Sequence, residues 1–283
     1  MSSTEIVLLV FGALLFLAMG SFCCVIIDRL PLALDEPNEY GELWDTRPWG
    51  QVFGGSSRCS DCGNPVRPYQ NIPVVSWLAL RGKCSNCTAK IPAFHPVVEL
   101  LCPALFLLSI YSIGWGWQLL PVLWLIPVGV TVSAIDLRTL MVPTRIVWPA
   151  FAVSAVLTVV AATLLGEWRL LLTALVGLVA LAGPLFLIWF ALPAAMGFGD
   201  VRLAVLLGWT MGFYAGSEPL AGLFLALVCL VVSSVVGLVV GIVALGARGR
   251  KAKVPFGPAF FVGAMFCILM APKILEPFGI YSL

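Results

Sequence analysis

The chain has 283 residues, of which 61% are hydrophobic and 11% charged, whereas a soluble domain is about a quarter charged. With a mean hydropathy of +1.05, a water-soluble fold is excluded. The net charge of +2 is too small to argue for nucleic acid or another polyanionic partner, so the placement of the charges matters more than their sum.

The first apolar run, about residues 6–27, is long enough to cross a bilayer. It starts beside Glu5, has no basic n-region, and leads into Asp28 and Arg29 rather than a small-residue cleavage site, so it reads as a retained helix. A polar segment rich in acidic residues and turn formers follows, to about residue 96. Further apolar runs lie at about 97–114, 117–135, 146–166, 169–193, 219–246 and 256–272, each near the length of a spanning helix. A shorter run at about 201–213 reads as a short span, a re-entrant element or a helix extended by its neighbours. Gly and Pro lie largely within or beside these runs, where they kink helices or permit close packing. The expected fold is all-α and polytopic, with about eight transmembrane helices. It divides into a first transmembrane helix (1–27), a cytoplasmic loop domain (28–96) and a multi-helix core (97–283).

Orientation follows from the cations, which are retained on the cytoplasmic side. The loop after the first helix holds Arg29, Arg47, Arg58, Arg67, Arg81, Lys83 and Lys90. If the short run spans, Arg138, Arg145 and Arg202 join that side, as do Arg248, Arg250, Lys251 and Lys253. That places 14 of the 16 cations inside, with only Arg169 and Lys273 outside. Both termini then face outward, and omitting the short run would expel the last basic loop.

Four of the nine cysteines form Cys59-Ser-Asp-Cys62 and Cys84-Ser-Asn-Cys87. Paired CxxC units at this separation let four thiolates converge on one Zn²⁺, with Gly63 giving the first knuckle its tight turn. Two disulfides or a redox pair are the alternative, disfavoured in a reducing cytoplasm. Four thiolates leave no open position, so the metal is expected to be structural, one per chain. Cys23, Cys24, Cys102, Cys229 and Cys267 lie in apolar runs and read as packing residues. His95, the one histidine, has no second histidine to pair with and reads as packing or interfacial.

Glu99, Asp136 and Asp200 sit at the cytoplasmic ends of apolar runs, where an ionisable group is expensive and usually marks function. Asp136 and Asp200, on different helices at one depth, can share a proton and a water as an acid and a base, the requirement for hydrolysing a peptide bond with carboxylates. Gly197 and Gly199 would let a substrate strand approach Asp200 closely. The alternatives are ion pairs with Arg138 and Arg202, a helix N-cap, or proton relay in a transporter whose zinc loop is merely structural. Glu99 reads as structural or as shaping the site.

Several motifs, in order, resemble the bacterial type IV prepilin peptidases, or leader peptidase/N-methyltransferases. They are Gly20-Ser21-Phe22 with Arg29-Leu30-Pro31, the two CxxC units, Asn71-Ile72-Pro73-Val74-Val75-Ser76-Trp77, and Arg81-Gly82-Lys83-Cys84. Pro96-Val97-Val98-Glu99-Leu100, Asp136-Leu137 with Pro143, Gly197-Phe198-Gly199-Asp200-Val201-Arg202 and Pro255-Phe256-Gly257-Pro258 complete the series. The chain departs from the family pattern at Cys24, Arg138 and Thr144, none of which removes a carboxylate. The resemblance implies a membrane aspartic endopeptidase of the bacterial inner membrane with Asp136 and Asp200 catalytic at its cytoplasmic face. Its substrates would be prepilins or pseudopilins, cleaved after Gly and serving type IV pili or type II secretion. The cysteine loop would form a lid or docking surface. S-adenosylmethionine would methylate the new N-terminus; no glycine-rich fingerprint names its binding residues. The implied partners are prepilin substrates and the lipid bilayer; a peptidase without methyl transfer is the nearest alternative, and the sequence does not decide the oligomeric state.

Overall fold

A computed structural model describes residues 2–30, 49–193, 196–248 and 254–280, with side chains except at 51 and 243–248. Pro31, Arg47, Arg250, Lys251, Lys253 and the side chain of Arg248 therefore lie outside the described residues. The described chain is helical and has no strand, only two isolated β-bridges. Its helices are α1 (Ser3–Arg29), α2 (Trp49–Phe53), α3 (Val75–Ala79), α4 (Phe94–Ile113), α5 (Leu119–Thr139), α6 (Thr144–Leu165), α7 (Arg169–Ala191), α8 (Phe198–Phe213), α9 (Pro219–Arg248) and α10 (Gly257–Leu275). Two compact units comprise residues 1–107 and 108–283.

In the first unit α1 opens with a capping box, Ser2 and Glu5 each bonding the other's backbone N–H. Gly20 lets α1 approach α4 closely: a Cβ there would lie 2.8 Å from the Glu99 Cα. Buried Glu99 accepts the Val74 N–H at 2.7 Å. Val74 has φ 62° and ψ −50°, and Val75 N–H closes back on Pro73 C=O at 2.6 Å. This is a γ-turn of the strained, positive-φ kind, rare for a β-branched residue. The Glu99 carboxylate secures that turn. At the end of α1, Arg29 donates to the carbonyls of Val52, Gly54 and Ser56, tying down the chain that enters the first cysteine pair.

The second unit is built on small residues. Gly177 on α7 faces Gly208 and Gly212 on α8, and a Cβ on any of the three would fall within 2.7 Å of backbone on the other helix. Gly222 of α9 meets the Thr173 carbonyl at 2.8 Å on the same measure. In an apolar solvent such close backbone approach is a main source of helix association. A buried polar seam joins α6 to α8: Ser154 bonds Thr210 at 2.9 Å, and Trp209 Nε1 donates to Thr158 at 3.1 Å.

Seven described helices are long and apolar enough to cross a membrane, namely α1, α4, α5, α6, α7, α9 and α10. The eighth expected span corresponds to α8, which has only 16 residues. It nevertheless runs between the two ends of α5. Its first turn carries Asp200, and Gly199 beside it packs against Val142, just after the end of α5. At its far end the Tyr214 hydroxyl donates to Gln118 C=O at 2.5 Å and accepts the Val122 N–H at 3.2 Å, at the start of α5. The Tyr214 hydroxyl thus completes the first turn of α5.

Candidate active site and metal centre

The two CxxC units build matching knuckles. In the first, Cys59 N–H donates to Asn64 C=O and Gly63 N–H to Cys59 C=O, both at 3.0 Å. In the second, Cys84 N–H donates to Ala89 C=O at 2.8 Å and Thr88 N–H to Cys84 C=O at 3.1 Å. The bridges Arg58 to Pro65 and Lys83 to Lys90 flank them symmetrically. Each knuckle needs a left-handed residue after its second cysteine, Gly63 at φ 69° and Thr88 at φ 59°. The sequence reading anticipates the first; the second is a threonine, so no glycine signals it.

The four Sγ atoms lie within 4.8 Å of one another, Cys59 and Cys87 being 3.7 Å apart. Metal–sulfur bonds of about 2.3 Å give a tetrahedron with edges of about 3.8 Å, which this spacing fits. The N–H of Asn86, 3.4 Å from Cys84 Sγ, and that of Cys87 draw the Cys84 thiol down to about 7, favouring the thiolate that binds metal. The remaining five cysteines are buried, as expected of packing residues. His95 has a more definite role than packing: its Nε2 is 3.3 Å from Asp28 Oδ2.

In the second unit, Asp136 is one turn before the end of α5 and buried, 4% exposed. Its Oδ2 accepts the backbone N–H of Gly257, the first residue of α10, at 2.7 Å. Asp200 is in the first turn of α8, half-buried, with Gly197 as the N-cap. The Asp200–Arg202 ion pair is not formed; Arg202 donates to Phe198 C=O at 3.3 Å and lies over the Phe198 ring at 5.1 Å. Gly199, beside Asp200, packs against Val142 just after α5, and Asp136 near the end of α5 bonds the start of α10, so α5, α8 and α10 present two acids and a backbone donor at their neighbouring ends. The glycines before Asp200 divide their roles. A Cβ on Gly197 would meet nothing nearer than 3.9 Å, whereas one on Gly199 would lie 2.9 Å from the Val142 Cβ. At Gly199 the close approach is made by the chain's own loop between α5 and α6. Sequence reading includes Gly257 in the motif Pro255-Phe256-Gly257-Pro258 of the family resemblance but gives it no role; its local signal is a glycine ahead of a proline at the start of an apolar run.

Residues 14–113 match the bacterial peptidase A24 N-terminal domain and residues 123–242 the type IV leader peptidase family. A prepilin leader peptidase/N-methyltransferase of Stutzerimonas stutzeri is 31% identical over 97% of this chain and 94% of the relative. The chain belongs to the type IV leader peptidase family. Like-named relatives from Neisseria gonorrhoeae, 33% identical over 89% of this chain and 86% of theirs, and Aeromonas hydrophila, 31% over 91% and 89%, agree with this membership. No solved structure matches the chain. Within this leader peptidase family member, the first match contains all four clustered cysteines and the second both aspartates, while Gly257 lies beyond both.

Proposed function

We propose that Asp136 and Asp200 are the catalytic pair of an aspartic endopeptidase that removes the basic leader of type IV prepilins or pseudopilins after Gly. The observation that carries this reading is the placement of a buried and a half-buried aspartate on separate helices, Asp136 near the end of α5 and Asp200 in the first turn of α8, where Gly199 packs against Val142 just after α5, within the segment matching the leader peptidase family. Hydrolysis needs one ionised carboxylate to take a proton from water as its oxygen adds to the peptide carbonyl. The protonated partner polarises that carbonyl, and the departing amine takes up a proton as the C–N bond breaks. Two neighbouring carboxylates cannot both ionise readily, so this division arises from their proximity.

The site faces the cytoplasm of the bacterial inner membrane. Arg138, Arg145 and Arg202 lie at the sequence positions bordering the two aspartates, as retained cations do. A basic leader stays on that side while the hydrophobic stem enters the bilayer, placing the scissile bond at the interface. Cys59, Cys62, Cys84 and Cys87 hold one Zn²⁺, which is structural because four thiolates complete its coordination. S-adenosylmethionine is the co-substrate that methylates the new N-terminus, a reading supported by the relatives' names.

The test is incubation of the purified protein with a model prepilin and labelled methyl donor, followed by mass analysis of the product N-terminus. Cleavage after Gly with one added methyl is expected, and Asp136→Asn or Asp200→Asn should each abolish cleavage while zinc is retained. Normal cleavage by both folded variants would overturn the aspartyl mechanism. Cleaved product without label would confine the protein to peptidase activity.

A further inference from the structure

We propose that Gly257 is a positioning residue for proteolysis: its backbone N–H fixes Oδ2 of Asp136, leaving Oδ1 as the oxygen that meets water. The inference rests on the reading of Asp136 as a catalytic carboxylate. A carboxylate can rotate about its Cβ–Cγ bond, and a donor to one oxygen stops that rotation. Gly257 N–H is 2.7 Å from Oδ2. As the first residue of α10 it has no acceptor within its own helix, so its N–H is free for this bond. Pro258, which follows, has no N–H, so it offers the carboxylate no competing backbone donor. The pairing also corrects an unfavourable placement. Asp136 sits near the negative end of α5, and the positive end of α10 faces it.

The absence of a side chain at 257 is equally specific. A Cβ there would lie 2.8 Å from Asp136 Oδ2, 3.2 Å from its Cβ and 3.3 Å from its Cγ, with no other contact as near. The one atom nearer than 3.0 Å, Oδ2, is at the end of a rotatable side chain, so the chain can still fold by swinging the carboxylate aside, with shifts of a few tenths of an ångström at Cβ. Substitution should therefore cost catalysis far more than stability.

The experiment compares kcat and KM for a prepilin substrate in four full-length variants, each with its thermal midpoint. Gly257→Ala should lose about 100-fold in kcat, the scale of a small misplacement of a reacting group, with KM nearly unchanged. Replacing residue 257 by glycolic acid in cell-free synthesis removes the N–H and adds no side chain; about a 10-fold loss in kcat is expected. Gly237→Ala, whose Cβ would make only ordinary contacts of 3.7 and 3.8 Å with Phe256 and Ala259, should turn over like the parent. Asp136→Asn should be inactive. Parental kcat in the ester variant overturns the proposal, as does a loss in Gly257→Ala carried by KM, which would make α10 part of the substrate groove. If Gly257→Ala does not fold, the ester variant decides alone. Cleavage by Asp136→Asn would instead remove the catalytic reading on which the proposal stands.

Discussion

Gly199 and Thr88 meet two different backbone demands. At Gly199 the constraint is space, because a Cβ would press on Val142 at 2.9 Å from a rigid β-branched neighbour. Gly199→Ala should therefore move the first turn of α8 and with it Asp200, lowering kcat for prepilin cleavage by about 10-fold or more. At Thr88 the constraint is φ 59°, which a threonine adopts only under strain. Thr88→Gly, matching Gly63 of the first knuckle, should stabilise the knuckle by about 1 kcal/mol, read as slower metal loss to a chelator. Glu99 meets a third demand, an acceptor for the N–H of strained Val74. Glu99→Leu leaves that part-buried donor without its partner and should lower stability by about 1 kcal/mol in thermal unfolding.

Among the elements, α8 depends most on its neighbours. At 16 residues it is too short to be recognised by length alone, and it holds its place through glycine contacts with α7, the polar seam with α6 and the bond from Tyr214 to α5. Gly208→Ala puts a Cβ 2.7 Å from the Gly177 carbonyl and should destabilise by about 1–3 kcal/mol, since backbone on both sides must move. Gly183→Ala on α7 meets nothing nearer than 4.0 Å and should be close to neutral in the same unfolding measurement. The contrast separates packing glycines from those that merely occur in an apolar run.

For the whole molecule, the parity of crossings decides which side each loop occupies. Counting α8 as a span gives eight, and a C-terminal alkaline phosphatase fusion is then expected to be active outside while a fluorescent protein fused there stays dark. An active fluorescent fusion would remove one crossing. The hydrophobic runs by themselves locate the long helices to within a few residues, because a bilayer imposes length and apolarity on every span. Cysteine spacing likewise announces the two matching knuckles and the cluster of four thiols that could hold a metal, because two CxxC turns are a local pattern. The two aspartates are visible as expensive charges, and the ordered motifs point to their family. The tertiary structure alone decided that Gly257 serves Asp136 across 121 residues, that Val142 fills the space beside Gly199, and that α8 reaches both ends of α5. These are contacts between backbone and side chain from distant segments, and neither periodicity nor composition records which distant donor a buried carboxylate will meet.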